Sequence, residues 1–285
     1  MKKSPADYLT IGPLTKDLVG NGYTLGGTVA YASKTALSFG LRPAIVTSHS
    51  PKLNIDTLKG VEIINKPSAY DTTFENIQTP EGRVQLLHET AEKITRTDIP
   101  DDFRQTPIVH VGPLTNEVEE DVISFFSDDC LLGITPQGWL RKRSEDGHVV
   151  YRPWQPSEEI CRRANAVVIS DEDVCKDESV IQNYAQMFKL LVVTEGFNGA
   201  RVYWHGDVRL FRAPKIDAVD ATGAGDIFAA TFFIRLKATN DPWISTETAV
   251  QLASLSITRQ GLNGVPTPKE VQSRLIEIIK GSSSQ

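Results

Sequence analysis

Short apolar runs alternate with amphipathic stretches along most of the chain. The apolar runs are rich in Val, Ile and Leu and predict buried strands of a parallel sheet. They cover residues 8–11, 44–47, 108–111, 131–134, 166–169 and 190–194. Helical periodicity falls between them, at residues 28–39, 116–127, 156–164 and 178–188. This alternation predicts an α/β fold with a mainly parallel central sheet flanked by helices on both faces.

Two segments, residues 14–25 and 61–89, interrupt the alternation with strand-like runs and turns. Because about 30 residues bury too little surface to form a core of their own, we predict a small β lid inserted within one domain over residues 1–285. The last third of the chain differs again. Two short strands near 200–204 and 208–211 precede predicted helices over 224–236, 245–258 and 267–279.

Composition restricts the ligands more than the fold. With 285 residues, 40% of them hydrophobic, the chain can bury a sizeable core. Its 30 Lys and Arg against 36 Asp and Glu leave a formal net charge of −6. Such a chain has no general electrostatic attraction to nucleic acid or to anionic membranes. A site for an anionic ligand must therefore supply its positive potential locally.

The chain also lacks the signals of membrane and secreted proteins. No apolar run approaches the ~18–20 residues of a membrane span, and the segment MKKSPADYLTIG has no apolar signal-peptide core. Cys130, Cys161 and Cys175 are widely separated, and the histidines show no metal-ligand spacing. We therefore expect a cytoplasmic protein without disulfides or a zinc site.

The segment DAVDATGAGDIFAA, residues 217–230, carries the clearest chemistry. In it, Gly223, Ala224 and Gly225 open an amphipathic helical run. A turn of this kind presents unpaired backbone N–H groups at the positive end of the helix dipole, which suits an anion. Asp226 follows in the first helical turn, and two interpretations fit it. It is either a charge that complements the helix dipole or a general base beside a bound phosphate.

This segment resembles the D-T-x-G-A-G-D signature of the ribokinase-like (PfkB) family of carbohydrate and nucleoside kinases. The matching positions are Asp220, Thr222, Gly223, Gly225 and Asp226, with Ala221 where the family usually has Thr. The resemblance implies a ribokinase-like fold and ATP as the phosphate donor. It also implies that Asp226 is the general base and that the amides of Gly223, Ala224 and Gly225 form an anion hole.

Nearer the N-terminus, Gly12 and Asp17 followed by Gly26-Gly27 are similar to the family's first signature, in which an Asp and a glycine pair hold substrate hydroxyls. Tyr31 stands where the family often has Asn. That replacement and the run TPQGWLR are more similar to the myo-inositol kinase branch. The resemblance implies a small polyhydroxylated substrate. It would be bound by Asp17, Gly26, Gly27, Tyr31 and Asp226.

Two further stretches, VTEGFNGA (193–200) and the loop 261–264, resemble the nucleotide-binding turn and the adenine-side loop of the family. The resemblance implies an ATP site formed by Thr194, Gly196, Gly199, Thr222, Gly223, Gly225 and Asn263. A monovalent cation is a further option that the family allows.

The metal motif departs from the family pattern. The chain has S-x-x-D, beginning at Ser170, where the family carries N-x-x-E. The resemblance implies that Asp173 and Glu172 hold Mg²⁺ through water, which suits a cation that retains several waters. Ser170 followed by acidic residues is also a good helix start. The two interpretations are compatible.

Other functions remain open at this point. Arg141, at the end of TPQGWLR, lies where related kinases often place a side chain on the transferred phosphate, but a solvated charged turn is an equally good interpretation. A nucleoside kinase of the same family would use Tyr31 and Phe74 to stack on a base. A catalytically weak binding or regulatory relative would suit the altered metal motif. We expect ATP and a small polyhydroxylated substrate as partners, no nucleic acid or membrane, and a monomer or homodimer.

Overall fold

The structure is a computed structural model that describes residues 4–79 and 82–275. Its strands are β1 (Tyr8–Ile11), β2 (Thr15–Val19), β3 (Gly22–Gly26), β4 (Pro43–His49), β5 (Glu62–Pro67), β6 (Thr72–Thr79), β7 (Gly82–Glu89), β8 (Ile108–Val111), β9 (Leu131–Ile134), β10 (Arg141–Arg143), β11 (Val149–Tyr151), β12 (Ala166–Ser170), β13 (Leu190–Thr194), β14 (Ala200–Trp204) and β15 (Asp207–Phe211). Its α-helices are α1 (Thr28–Ser38), α2 (Glu158–Arg163), α3 (Glu178–Met187), α4 (Ala224–Thr239), α5 (Pro242–Ser256) and α6 (Pro268–Leu275).

A nine-stranded sheet forms the centre of the molecule, in the order β15-β14-β13-β12-β9-β8-β1-β4-β5. Neighbouring strands from β13 to β5 are parallel, and β14 and β15 add an antiparallel edge. All six predicted buried strands lie in this sheet, which confirms the predicted α/β class. Continuous apolar runs form these strands because both sheet faces are covered.

Helices cover the two faces of the sheet and bury separate apolar clusters. On one face, α1, α4 and α5 pack against β8, β9, β12 and β13 through small residues and Phe228, Phe232 and Phe233. On the other face, α2, α3 and the segment 118–126 bury Ile160, Ile181 and Trp154. The first face matters for function because α1 and α4 both begin at the carboxyl edge of the sheet.

A second, four-stranded sheet has the order β3-β2-β6-β7. It contains the predicted segment 14–25 and the later part of segment 61–89. The structure differs for residues 62–67, because β5 pairs in parallel with β4 at the edge of the central sheet. There Ile63 packs against the cluster that contains Ile45, and this contact draws the strand into the main sheet.

The second sheet is attached to the central sheet by a buried carboxylate. Asp71, which precedes β6, accepts hydrogen bonds from the backbone N–H of Ser50 at 2.7 Å and from its hydroxyl at 2.9 Å. Lys16 of β2 places its Nζ 2.5 Å from Asp71 Oδ2. These contacts join β2, β6 and the end of β4.

The predicted helix over 116–127 is wrong. Asn116 has a left-handed backbone (φ 68°), Val118 pairs with Ile94 in a parallel bridge, and only residues 120–125 form 3₁₀ turns. The Glu117 carboxylate accepts the backbone N–H of Leu114 at 2.7 Å, so it stabilises a loop instead of a helix. The apolar side chains of this segment are buried although its backbone is irregular, and their spacing resembles that of a helix.

The other predicted helices are present, although α2 is shorter than expected. The last four residues of the predicted helix 267–279 lie outside the described residues. None of the described helices combines the length and apolar character needed to cross a bilayer.

Candidate active site

The parallel strands of the central sheet end at one edge, and the second sheet lies close to that edge. Between them is a cavity of about 520 Å³. The polar side chains that line it include Asp17, Thr28, Thr135, Arg141, Asp173 and Asp226. Open α/β sheets bind ligands at the carboxyl ends of their strands, and this cavity has that position.

Asp226 lies in the first turn of α4 and faces this cavity. Its Oδ1 accepts a hydrogen bond of 2.7 Å from the hydroxyl of Thr28, at the start of α1. Burial raises the pKa of Asp226 to about 6; the Thr28 hydrogen bond and Arg141 oppose this shift, whereas Asp17 and Asp173 add to it. A carboxylate with this pKa can accept a proton near neutral pH.

The glycine turn forms the N-terminus of α4. Gly223 is the N-cap with a left-handed backbone (φ 79°), which residues other than glycine adopt only with strain. The N–H of Ala224 donates to the carbonyl of Ala221 at 3.2 Å and is therefore engaged within the turn. Gly223 and Gly225 line the cavity. Of the three residues predicted to form an anion hole, Gly223 and Gly225 thus lie at the cavity wall.

Asp220 connects the glycine turn to the loop at 261–264. One carboxylate oxygen accepts the N–H of Thr222 at 2.9 Å, and the other accepts the N–H of Gly261 at 2.8 Å. The motif position therefore has a structural role that the sequence alone does not reveal. Asn263, predicted on the nucleotide side, is exposed in this loop and is not part of the cavity wall.

Tyr31 packs directly against the glycine turn. Its side chain is 2% exposed and packs with Ile227 and Val265. The ring lies so close to Gly223 that a Cβ at that position would overlap it. Burial raises the pKa of Tyr31, and the charge of Asp226 adds to the shift, so the phenol stays neutral. Tyr31 reaches the cavity wall only with a small surface.

Asp17 and the glycine pair lie together at the cavity. Asp17, on β2, lines the cavity, and its carboxylate covers Gly26 so closely that a Cβ there would overlap Oδ2. The Thr15 hydroxyl donates to Asp17 Oδ1 at 3.3 Å. Gly27 is the N-cap of α1 with φ 93°. The pair therefore gives room to Asp17 and starts the helix that positions Thr28.

Asp173 and Arg141, which also line the cavity, form an ion pair. Asp173 Oδ1 lies 3.1 Å from Arg141 Nη2 and accepts a bond of 3.0 Å from Gln137. Its Oδ2 accepts the N–H of Ser170 at 3.0 Å in a capping box. Arg141 also donates to Gln85 on β7 at 3.2 Å, so it joins the second sheet to the central one.

The acidic residues of the rim suit Mg²⁺ only through water. Asp173 and Glu172 both line the cavity, yet the described residues include no cluster of three or more His, Cys, Asp or Glu side chains arranged to hold a metal. Mg²⁺ is commonly held by one or two carboxylates, waters and substrate phosphates. The donor set fits that kind of site.

The predicted nucleotide-binding residues are only partly brought together. Thr194, Thr222, Gly223 and Gly225 line the cavity, whereas Gly196, Gly199 and Asn263 do not. Gly199 has φ 105° and lies against the carbonyl of Phe211, where a Cβ would overlap. The β13–β14 connection therefore requires glycine at this position.

Sequence reasoning missed two hydroxyl residues at the site, Thr28 and Thr135. Thr28 directly follows the glycine pair, and Thr135 directly follows the predicted strand 131–134. Polar residues one position beyond a buried parallel strand, or at the start of the following helix, lie at the ligand-binding edge. That positional signal was available in the sequence.

The segment that holds the glycine turn and Asp226 is similar to a known family. Residues 157–270, which include both features, match the family described as pfkB family carbohydrate kinase. A fructokinase from Escherichia coli is 29% identical over 181 residues, which cover 59% of this chain and 53% of that protein. The chain therefore spans about half the length of this curated relative.

Two solved structures are similar in fold over more than nine-tenths of this chain. A pyrophosphate-dependent kinase in the ribokinase family, complexed with a pyrophosphate analog and myo-inositol, has a TM-score of 0.78 at 21% identity over 94% of this chain and 100% of that chain. The ribokinase of Arabidopsis thaliana, complexed with ribose and ATP, has a TM-score of 0.68 at 15% identity over 96% and 99%. These likenesses show the fold.

Proposed function

We propose that this chain is a carbohydrate kinase of the pfkB family with the ribokinase-like α/β fold. In this proposal it transfers the γ-phosphate of ATP to a hydroxyl of a small sugar or polyol such as myo-inositol. The observation that carries the proposal is the position of Asp226. Its carboxylate lies at the N-terminus of α4, beside the glycine turn, in the cavity between the two sheets. A proton acceptor and an anion site thus adjoin one another.

In this proposal, residues of the cavity accept the proton, bind the acceptor and stabilise the transferred group. Asp226 takes the proton of the attacking hydroxyl, and Asp17 holds other hydroxyls of the acceptor. The amides of Gly223 and Gly225 face the charge that develops on the transferred group. Because phosphoryl transfer depends mainly on positioning and electrostatics, no covalent intermediate with the protein is needed.

The donor lies toward Thr194 and the loop 261–264 in this proposal. Mg²⁺, held through water by Asp173 and Glu172, supplies neutralisation of the phosphate charge when it is bound. Arg141 adds a positive side chain on the same wall, 3.1 Å from Asp173. A local anion site of this kind is compatible with a net charge of −6.

The buried aromatic residues favour a polyol over a nucleoside. Tyr31 is 2% exposed and Phe74 is 3% exposed, so neither offers a free ring face on which a base could stack. A purely regulatory role is disfavoured because Asp226, the glycine turn and Asp17 all line the same cavity.

The three cysteines are free, which supports a cytoplasmic location as part of this proposal. The proposal includes either a monomer or a homodimer, and a monovalent cation as an optional activator.

The first test replaces Asp226 by Asn, because Asn keeps the acceptor for the Thr28 hydroxyl but cannot take up a proton. We expect turnover to fall by at least about 10³-fold, measured as phosphorylated product. ATP binding, measured by calorimetry, should persist. Burial of the charged carboxylate opposes folding at pH 7, because the folded-state pKa lies above the unfolded one. The Asn variant should therefore be at least as stable. Near-normal turnover would refute the role of Asp226.

The second test is a substrate panel of myo-inositol, fructose, ribose and adenosine, with ATP and pyrophosphate as alternative donors. Turnover of a polyol or sugar with ATP is the expected result. Preference for adenosine would favour the nucleoside kinase. Turnover with pyrophosphate alone would overturn ATP as the donor, while leaving the acceptor site as proposed.

A further inference from the structure

Three polar side chains form a hydrogen-bonded chain that ends at the cavity. The Tyr8 hydroxyl lies 2.9 Å from His110 Nδ1, and His110 Nε2 lies 2.9 Å from the Thr135 hydroxyl. Tyr8 and His110 are each 0% exposed, on the adjacent strands β1 and β8. Thr135 follows β9 and lines the cavity. The chain thus runs from the interior of the sheet to its ligand-binding edge.

The direction of the protons in this chain follows from counting donors and acceptors. If the Tyr8 hydroxyl donates to Nδ1, then Nε2 carries the imidazole proton and donates to Thr135 Oγ1, and both buried donors, the phenol and the imidazole N–H, are paired. In the opposite arrangement, Nδ1 donates to Tyr8, and the phenolic proton needs another acceptor. Within the described residues, His110 is the partner of that hydroxyl. Because an unpaired buried donor is costly, the first arrangement is favoured.

This arrangement leaves the Thr135 hydroxyl proton directed away from His110. Its Oγ1 accepts from Nε2, so the hydroxyl proton is available for donation to a ligand in the cavity. Thr135 is half-buried at the cavity wall.

Thr135 is also close to the residue that holds Asp226. The point where a Cβ on Gly112 would stand is 2.6 Å from Thr28 Cγ2 and 3.1 Å from Thr135 Oγ1. The two threonines are therefore neighbours across Gly112, and Thr28 donates to Asp226. A hydroxyl compound whose reacting group meets Asp226 would bring an adjacent oxygen within reach of Thr135.

We propose that Thr135 is an acceptor-binding residue whose hydroxyl donates a hydrogen bond to an oxygen of the sugar or polyol, and that Tyr8 and His110 are positioning residues that fix its proton. The inference rests on the proposed function and adds a binding group to the same site. It also explains why a neutral imidazole is buried in the centre of the sheet: it passes one hydrogen bond from Tyr8 to Thr135.

The charge state of His110 agrees with this role. Burial lowers the pKa of His110 to about 3, so the ring stays neutral while Asp226 titrates. The Phe233 ring packs edge-on against the imidazole, with centroids 4.9 Å apart. The imidazole is thereby held in one orientation.

The test compares Thr135→Val with Thr135→Ser. Val keeps the shape but removes the hydroxyl, whereas Ser keeps the hydroxyl. We expect Val to raise the KM and the dissociation constant for the preferred acceptor about 10- to 50-fold, with the KM for ATP unchanged. Ser should stay within about threefold of wild type, in line with the retained hydrogen bond. Binding of myo-inositol, fructose and ribose by calorimetry gives a readout independent of turnover.

A double-mutant cycle tests the positioning residues. Tyr8→Phe removes the donor to Nδ1, so the Thr135 proton can turn toward Nε2, and we expect acceptor affinity to fall about three- to tenfold. In the Thr135→Val background the same change should have no further effect on acceptor affinity. Thermal unfolding measures any loss of stability separately, and a purely structural role of Tyr8 would give equal losses in both backgrounds.

The failures of the two proposals are distinguishable. Wild-type turnover combined with unchanged acceptor affinity in Thr135→Val overturns the role of Thr135 alone. Equal effects of Tyr8→Phe in both backgrounds overturn the positioning role. A wild-type protein that neither binds nor phosphorylates any of the three acceptors overturns both the proposed function and this inference.

Discussion

Two features of its surroundings raise the pKa of Asp226. It remains close to other carboxylates, Asp17 and Asp173, and it is shielded from solvent in the cavity. Both conditions favour its protonated form, and the Thr28 hydrogen bond and Arg141 oppose them. The residue is therefore poised near neutrality, as a general base requires.

The pH dependence of activity follows from this pKa. Because burial raises the pKa of Asp226 to about 6, kcat/KM should rise as the pH increases through that value. It should be about tenfold lower at pH 5 than on the plateau, since roughly one site in ten is then ionised. Initial rates between pH 4.5 and 8 measure this acidic limb, which is the rise of kcat/KM with pH.

Arg141 provides the internal control for that assignment. Its positive charge lowers the pKa of Asp226, so Arg141→Gln should move the limb to higher pH. A limb that does not move in this variant, or that lies near pH 4 in wild type, would contradict the assignment to Asp226.

Gly223 can be tested against a matched glycine. A methyl group on Gly223 would meet both the left-handed backbone (φ 79°) and the Tyr31 ring. Gly223→Ala should therefore reduce kcat by at least about 100-fold, since it displaces the glycine turn that is proposed to face the transferred phosphate. Gly206 has a similar φ of 84°, and no atom lies within 4 Å of the point where its methyl group would stand. Gly206→Ala should cost only about 1 kcal/mol of stability and leave kinetics unchanged.

At the scale of elements, α4 is positioned by a close contact with the central sheet. A Cβ on Gly133 of β9 would stand 2.6 Å from three ring atoms of Phe233 in α4. The helix that presents Asp226 therefore approaches the sheet at a glycine. This contact determines how far the glycine turn lies from the strand ends.

Gly133→Ala should lower the free energy of unfolding by about 1–3 kcal/mol, because it overpacks this contact. Phe233→Leu alone should also destabilise, since it leaves a cavity. The double variant should lose less than the sum of the two, because the methyl group occupies part of the vacated volume. Denaturant unfolding of all three variants measures the coupling, and strict additivity would contradict this packing argument.

At the scale of the molecule, no cut in the chain separates two cores. One apolar cluster includes residues from Ala6 to Tyr203, and the other includes residues from Tyr8 to Val250. The N-terminal strand β1 lies between β8 and β4 in the central sheet. The second sheet is attached through Asp71 and Arg141.

We therefore expect one cooperative unfolding transition for the whole chain. Calorimetric and van't Hoff enthalpies should agree within about 10–15%, as for two-state unfolding, and a polyol with a non-hydrolysable ATP analogue should raise the midpoint. Two resolved transitions would contradict the prediction of a single domain over residues 1–285.

The sequence by itself determined the elements whose burial is continuous. Strands such as 108–111 and 190–194 could be predicted because both sheet faces are covered, which leaves an uninterrupted apolar run. The segment 217–230 could be interpreted for a similar local reason, since a glycine turn and the helix after it are adjacent in sequence. The glycine turn and Asp226 could therefore be identified from the sequence without knowledge of the fold.

Only the tertiary structure decided how distant segments meet. In the structure, Tyr31 packs against Gly223, Asp220 joins two loops, and Arg141 pairs with Asp173. These contacts depend on strand order and not on local pattern, so the sequence alone does not predict them. The prediction of a helix over residues 116–127 was wrong, because these apolar residues are buried in an irregular segment that Glu117 stabilises. The hydrogen-bonded chain from Tyr8 through His110 to Thr135 joins residues far apart in sequence, and no sequence pattern encodes that contact.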